Sequence, residues 1–204
     1  MLLHGGIEGF VSIVSRENPS NSNHSMTVEQ DNAKHWYAFK VFYNKVFEID
    51  KEIKCLGGET YFPVVKSYKL KDNHHRLVVK PAISSLIFIH CPENDILAYE
   101  SQLNGRVMLY THLTEGMRIP SRIDEEEMRI FQLVTSVEDE RLQYLDVGSI
   151  NYKEGQRVNV TDGPYKGCSG YIKRIKGNRR LLVAVEGLAL VATSYIPSEF
   201  LEKI

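Results

Sequence analysis

Gly155–Ile175 reads "GQRVNVTDGPYKGCSGYIKRI", and its middle, Asp162–Gly170 ("DGPYKGCSG"), decides what the C-terminal part of the chain is. Val158 and Val160 alternate with polar residues, as in a strand with one buried face. The glycines that follow admit three readings. A phosphate-cradling loop needs G-x-x-x-x-G-K-[ST], so that successive amides wrap a phosphate and the lysine neutralises it. Here Gly163 and Gly167 are one residue too close, and Cys168 stands where the lysine belongs. A nucleophile turn needs G-x-S-x-G or its cysteine analogue between a strand and a helix. The glycines around Cys168-Ser169 are too close for that, and a strand pattern follows. The third reading is a tight bend. Gly163-Pro164 presets the turn, and Gly167 and Gly170 permit positive φ. Tyr165 and Lys166 are then expected at an exposed tip, a contact device for a protein pocket, a base or a phosphate.

Outward from this bend the pattern stays short and β-like. "RVNVT", "GYIKRI", "RLLVAVEG" and "LVATSYIP" have a period of about two and are separated by glycine-containing turns. So small an all-β unit is expected to close into a barrel over residues 154–204, which removes its sheet edges. Residues 137–153 read as a linker with at most a helical turn.

Upstream, "HWYAFKVF" reads as a strand, and Val46, Ile49, Ile53 and Leu56 follow at helical spacing before a glycine stop. "ETYFPVV" and "RLVVKPAISSLIFIH" read as strands bent or edged by Pro63 and Pro81. Ile96, Tyr99 and Leu103 share one helical face, and "RVMLYTH" is a further strand. A last helix opens where Asp124 and Glu127 have capping-box spacing, with Met128, Phe131 and Val134 as its stripe. The order β-α-β-β-α-β-α over residues 35–136 predicts an α+β domain, an antiparallel sheet with helices on one face. Residues 1–34, with their Ser- and Asn-rich run, offer little apolar surface to offset ordering and are expected to be a disordered arm. Met26 is then a candidate start codon.

Bulk composition narrows the function classes. A net charge of −1 gives no uniform positive field, so any nucleic-acid contact must be local. Seven basic residues against Asp162 alone lie between Gly155 and Arg180, whereas Ile123–Asp146 carries eight acidic residues against two arginines. Cys55, Cys91 and Cys168 have no C-x-x-C spacing, which argues against disulfides and zinc and fits a reducing cytoplasm. No apolar run approaches the ~20 residues that cross a bilayer, and no membrane association is expected. His74-His75 and His90-Cys91 are adjacent pairs whose side chains diverge on a strand, so they read as surface groups in loops and not as metal ligands. With no metal, nucleotide or nucleophile pattern, no cofactor and no enzymatic activity are expected.

The bend resembles a KOW motif, hydrophobic alternation followed by G-P-[FY]-x-G-x-x-G and another strand, matched at Val158, Val160, Gly163, Pro164, Tyr165, Gly167, Gly170 and Ile172. "WYAFKVFYNKVFEIDKEI", "YFPVV", "KPAISSLIFIH", "GRVMLYTH" and "RIPSRIDEEEMRIF" follow the order of the N-terminal domain of the NusG family, so the resemblance spans about Trp36 to Ile204. Within that family, "GNRRLLVAVEGLALVATSYIPSEFLEKI" looks closest to the UpxY-type antiterminators of capsular-polysaccharide operons. The resemblance implies a monomeric antitermination or elongation factor that docks an apolar face of its N-terminal sheet on the clamp helices of bacterial RNA polymerase. Trp36, Tyr37, Phe39, Phe62, Ile83, Leu86 and Phe88 occupy the positions of that face or its support. Where relatives carry F-P-G-Y, this chain has "ISSL", with Leu86 in the tyrosine's place.

Specialised relatives also touch non-template DNA through the first helix, where Lys45, Lys51 and Lys54 stand. The KOW loop of relatives reaches ribosomal protein S10 or Rho, which assigns Tyr165. The basic set Arg157, Lys166, Lys173, Arg174, Lys176, Arg179 and Arg180 offers nascent RNA as another partner. A competing reading is a ribosome- or RNA-binding KOW protein with a scaffold N-terminal domain. Some relatives refold the C-terminal part as a helical hairpin; the β-branched and glycine content of residues 155–197 disfavours that here.

Overall fold

The computed structural model describes residues 32–204 except 72, 73 and 176. The proposed arm, Met26 and Lys176 lie outside the described residues. Four strands form the N-terminal sheet: β1 (His35–Val41), β2 (Glu59–Tyr61), β5 (Leu86–Cys91) and β6 (Val107–Leu109), in the order β2-β5-β1-β6. The pairing is antiparallel throughout, with Tyr37 opposite Ile89 and Phe39 opposite Leu109.

Helices α1 (Val46–Cys55) and α2 (Glu93–Gln102) bury the stripes read from the sequence. Val46, Ile49, Ile53 and Ile96 are inaccessible to solvent, and with Tyr37, Phe39, Ile87 and Ile89 they form a core on one side of the sheet. Helix α3 (Glu125–Ser136) starts where Asp124 Oδ1 accepts from the amides of Glu126 and Glu127, both at 2.9 Å. It packs on the opposite side, where Phe131 meets Phe88 and Tyr61 edge to face. Helices therefore cover both faces, which corrects the one-face expectation. Alternation along β1 and β5 makes both faces apolar, and each needs a cover.

Two hairpins stand apart from this sheet: β3 (Val64–Lys71) with β4 (His74–Pro81), and β7 (Thr111–Thr114) with β8 (Met117–Pro120). The second is absent from the sequence reading, because "THLTEGMRIP" carries little alternation. The C-terminal region is a six-stranded antiparallel sheet of β9 (Gln143–Leu145), β10 (Gln156–Val160), β11 (Ser169–Ile175), β12 (Asn178–Val185), β13 (Ala189–Tyr195) and β14 (Leu201–Lys203), in the order β14-β10-β11-β12-β13-β9. The stretch read as a linker thus donates a strand. Leu145 lies opposite Leu190 in the β9–β13 pair, and both belong to a small apolar cluster on one face of the sheet.

One apolar core runs from Trp36, Leu86 and Phe88 through Met128, Phe131 and Val134 of α3 into Val158, Leu181, Val183 and Val191 of the C-terminal sheet. Among the described residues, no helix is long and apolar enough to cross a membrane.

The glycines of the bend divide their labour. Gly163 and Gly167 have φ of +81° and +83°, as a turn requires. Gly170 instead sits so close to β12 that an added Cβ would lie 2.5 Å from the Leu182 carbonyl oxygen and 3.1 Å from Leu181 Cδ1. Its expected positive φ is therefore replaced by a close approach of two backbones. Gly170→Ala is expected to destabilise the fold by about 1–3 kcal/mol through overpacking, read as a lower midpoint in urea with an unchanged m-value.

Candidate functional site

Alternation along β1 and β5 sorts the residues assigned to the polymerase-facing surface. Trp36, Leu86 and Phe88 point to the α3 side, and Tyr37 and Phe39 to the α1–α2 side, where Phe62 also packs. These two groups lie on opposite faces of the sheet, so one flat partner cannot touch both. All but Phe62 of these six are buried, with Tyr37, Phe39 and Phe88 sealed completely. Ile83 differs. It is half-buried at the edge of the α3-side core, in the loop between β4 and β5.

Trp36 is fixed from several sides. Its ring stacks on His90 at 4.8 Å, and its carbonyl accepts from Ile123 N at 2.8 Å. His90 Nδ1 lies 3.1 Å from Glu59, and Nε2 3.9 Å from Glu125 at the start of α3. The pairs set aside as metal ligands also sit differently from the sequence reading. His90 is in a central strand and His74-His75 open β4, so none is in a loop.

Beside Ile83 rises the β3–β4 ribbon, anchored where the Ala82 amide donates to the Pro63 carbonyl at 2.8 Å. Its register places Val64, Lys66, Tyr68, Leu70, Leu77 and Val79 on one face, and Val65, Ser67, Lys69, Arg76, Val78 and Lys80 on the other. Val64, Tyr68, Leu70, Leu77 and Val79 are exposed, Tyr68 by 72% and Leu70 by 65%. Lys66 reaches Glu138 just beyond α3, at 2.7 Å, which orients this apolar face toward the α3 side.

The lysines assigned to DNA on the first helix are partly spoken for. Lys45 pairs with Glu48 and Lys54 with Asp50, both at 2.8 Å, and Lys51 lies in a groove with Glu48 and Glu52. The local field there is mixed in sign.

In the C-terminal sheet the largest departure is Tyr165. The sequence placed it at an exposed tip, yet it is 4% exposed, and its hydroxyl donates to Asp139 Oδ2 at 2.9 Å. The turn folds inward because the ring completes the apolar core beside Val160 and Ile196 and its hydroxyl finds a carboxylate. Of the pair, it is Lys166 that stays exposed at the tip. Burial opposes ionisation of Asp139, but bonds from Ser194, from the Arg141 amide and guanidinium and from Tyr165 outweigh it and hold the carboxyl well below its ordinary range. Burial, together with the bond to Asp139 and its charge, pushes the Tyr165 phenol up to about 12. Cys168 is sealed, and burial pushes its thiol up to about 11, which suits a packing residue better than a nucleophile.

The basic set does not form one patch. Lys173 lies opposite Arg180, and Arg174 opposite Arg179, so the two pairs project from opposite faces of the sheet. Lys173 Nζ is bound to the Asn151 carbonyl at 2.6 Å. Arg157 and Arg174 are exposed.

Glu127, the second half of the expected capping box, turns away from its own helix and accepts from the Glu186 amide at 3.2 Å. This contact ties α3 to the end of β12. Sequence reasoning had no signal for it, because the partner is 59 residues away.

Residues 34–132, the sheet, its helices and the ribbon, match the family model NusG, transcription termination factor nusG. The chain's N-terminal domain belongs to the NusG family. The transcription termination/antitermination protein NusG of Borreliella burgdorferi is 24% identical over 185 residues, covering 83% of this chain and 98% of that relative. A structure concerned with domain interaction in Thermotoga maritima NusG is 18% identical, covers 84% of this chain and 97% of its own, and has a TM-score of 0.41. The chain is thus similar to NusG-type transcription termination/antitermination factors, and it joins an α+β N-terminal domain to an all-β C-terminal sheet region.

Proposed function

We propose that this NusG-type factor binds bacterial RNA polymerase through the α3-side edge of its N-terminal domain and promotes read-through of a capsular or exopolysaccharide operon. The observation that carries the docking surface is the exposed apolar face of the ribbon, with Ile83 at its foot. Exposed apolar strips of this extent mark partner sites, because isolated chains otherwise bury them. The clamp helices are the partner in this reading, since an apolar strip accepts the apolar stripe of a helix. Trp36, Leu86 and Phe88 then act as the rigid support beneath it, and Tyr37 and Phe39 as core.

The experiment is retention of purified RNA polymerase by the immobilised full chain. Wild type is expected to retain it. Ile83→Asp combined with Leu77→Ser is expected to reduce retention at least 10-fold while the circular-dichroism spectrum and melting temperature stay close to wild type. Equal retention by the variant, or none by wild type at low salt, overturns the docking surface.

The operon assignment rests on the likeness of residues 177–204 to the capsular antiterminators. Transcript profiles with and without the protein are expected to show one lengthened operon. Many altered operons would make it a general elongation factor instead. For the C-terminal partner, ribosomal protein S10, Rho or nascent RNA, the inward turn of Tyr165 favours Lys166, Arg157 and Arg174 as contact residues. A cytoplasmic location follows from this function.

A further inference from the structure

One charge in the C-terminal sheet has no internal counterpart. Arg180 is half-buried in β12, and its Nε and Nη1 are sealed from solvent with no hydrogen-bond partner among the described residues. Register sets it between Lys173 of β11 and Tyr195 of β13, all on one face. Leu182 and Ile175, its neighbours on that face, belong to the small apolar cluster. Burying a donor without an acceptor costs stability, and a charged donor costs more. Strands β11, β12 and β13 contain no acidic residue, so they offer no carboxylate in reply. Packing does not demand the charge either, since an apolar side chain of similar length would fill the place without that cost.

We infer that Arg180 is the anchor of a docking surface for an acidic segment of a partner protein, whose carboxylate supplies the missing acceptor. A guanidinium and a carboxylate are both planar and can share two parallel hydrogen bonds. Three observations select a single carboxylate over a polyanion. Lys173 is already bound to the Asn151 carbonyl at 2.6 Å, with Glu154 at 3.8 Å. Arg174 and Arg179 project from the opposite face. Arg157 shares the face through its pairing with Tyr171, but it lies in a groove with Asp124, Glu126, Glu127 and Glu186. Among the described residues of this face, Arg180 is thus the cation left uncompensated, whereas a nucleic-acid strand needs a row of them. Beside it, Tyr195 is 56% exposed, so its ring can turn aside to admit a ligand without opening the core. A buried Arg with a neighbouring Tyr is also the composition at which protein-binding energy concentrates. This surface lies on the C-terminal sheet, away from the ribbon, and does not depend on polymerase docking.

The test is proton–nitrogen NMR of the full chain, reading the arginine Nε–H signals and the Leu181 and Tyr195 amides. The probe is a pool of blocked pentapeptides with a central glutamate and random flanks, compared with an otherwise identical glutamine pool. The Arg180 Nε–H signal is expected to shift saturably with the glutamate pool. The glutamine pool is expected to act at least about 10-fold more weakly, the difference between a charged and a neutral acceptor. Arg180→Met is expected to lose the response at Leu181 and Tyr195 and to melt no lower than wild type, because it removes a buried charge that nothing inside the protein pairs. Lys203→Gln, in β14 at the far edge of the sheet, is expected to keep the response. A lower melting temperature for Arg180→Met would reveal an internal partner and overturns the proposal. So do loss of the response in Lys203→Gln, equal shifts with the two pools, no shift with either, an equal response to inorganic phosphate, or a stronger one to single-stranded RNA.

Discussion

Phe131→Ala is expected to lower the stability of this protein by about 3–5 kcal/mol, the range for deleting a fully buried aromatic ring. Phe131 has no solvent exposure and meets Phe88 at 5.6 Å and Tyr61 at 6.4 Å between ring centroids, both edge to face. It lies in the middle of α3, whose other contacts reach β12 and β13. Its removal therefore opens a cavity in a core shared by the N-terminal sheet and the C-terminal sheet. The drop should read as roughly 10 °C in melting temperature for a chain of this size. Because the core is continuous, the midpoint is expected to fall for probes in both halves. Trp36 fluorescence reports the N-terminal half, and hydrogen exchange at Val183 and Val191 reports the C-terminal half. A fall confined to the Trp36 signal would show that the two halves unfold independently.

The second large effect is at Tyr165. Tyr165→Ala should cost about 3–5 kcal/mol, and Tyr165→Phe about 1.5–3 kcal/mol, because the latter keeps the ring and loses only a bond to a charged acceptor. The pair also sets a pH window. The folded pKa of Asp139 lies below its ordinary 3.8, so its contribution is complete above that value and is lost as pH falls further. The folded pKa of Tyr165 is raised from 10.0 to about 12, so its contribution is complete below pH 10 and is lost as pH rises from there toward 12. Wild-type stability from this contact is thus expected to be flat between about pH 4 and pH 10 and to fall on either side. Urea midpoints across pH measure this. Tyr165→Phe should abolish the alkaline fall due to this phenol and reduce the acid fall. Identical pH profiles for the two proteins would show that the hydroxyl contributes nothing.

Much of the fold follows from local pattern. The stripes of α1, α2 and α3, the Asp124 cap and the short alternating strands after Gly155 are set by periodicity and capping, which are properties of neighbours in the chain. The function class came from the resemblance of that element order, and of the glycine spacing around Pro164, to the NusG family. The site was legible only in part. Trp36, Tyr37, Phe39, Leu86 and Phe88 read alike as aromatic or aliphatic strand residues, and only register divides them between two faces. The ribbon's two characters also emerge only from pairing. "VVKSYKLK" and "HHRLVVKP" look evenly mixed until Tyr68 is set opposite Leu77 and Lys69 opposite Arg76.

The bend at Asp162–Gly170 marks the division most clearly. The sequence by itself determined that a turn stands there and not a phosphate loop, since Gly163 and Gly167 fix the backbone by local sterics. Only the tertiary structure decided that Tyr165 turns inward, that Gly170 is required by the Leu182 carbonyl, and that Glu127 reaches Glu186. Each of these depends on a group 12 to 59 residues away, and what a buried ring or hydroxyl meets at such separation is settled by packing, not by the residues beside it.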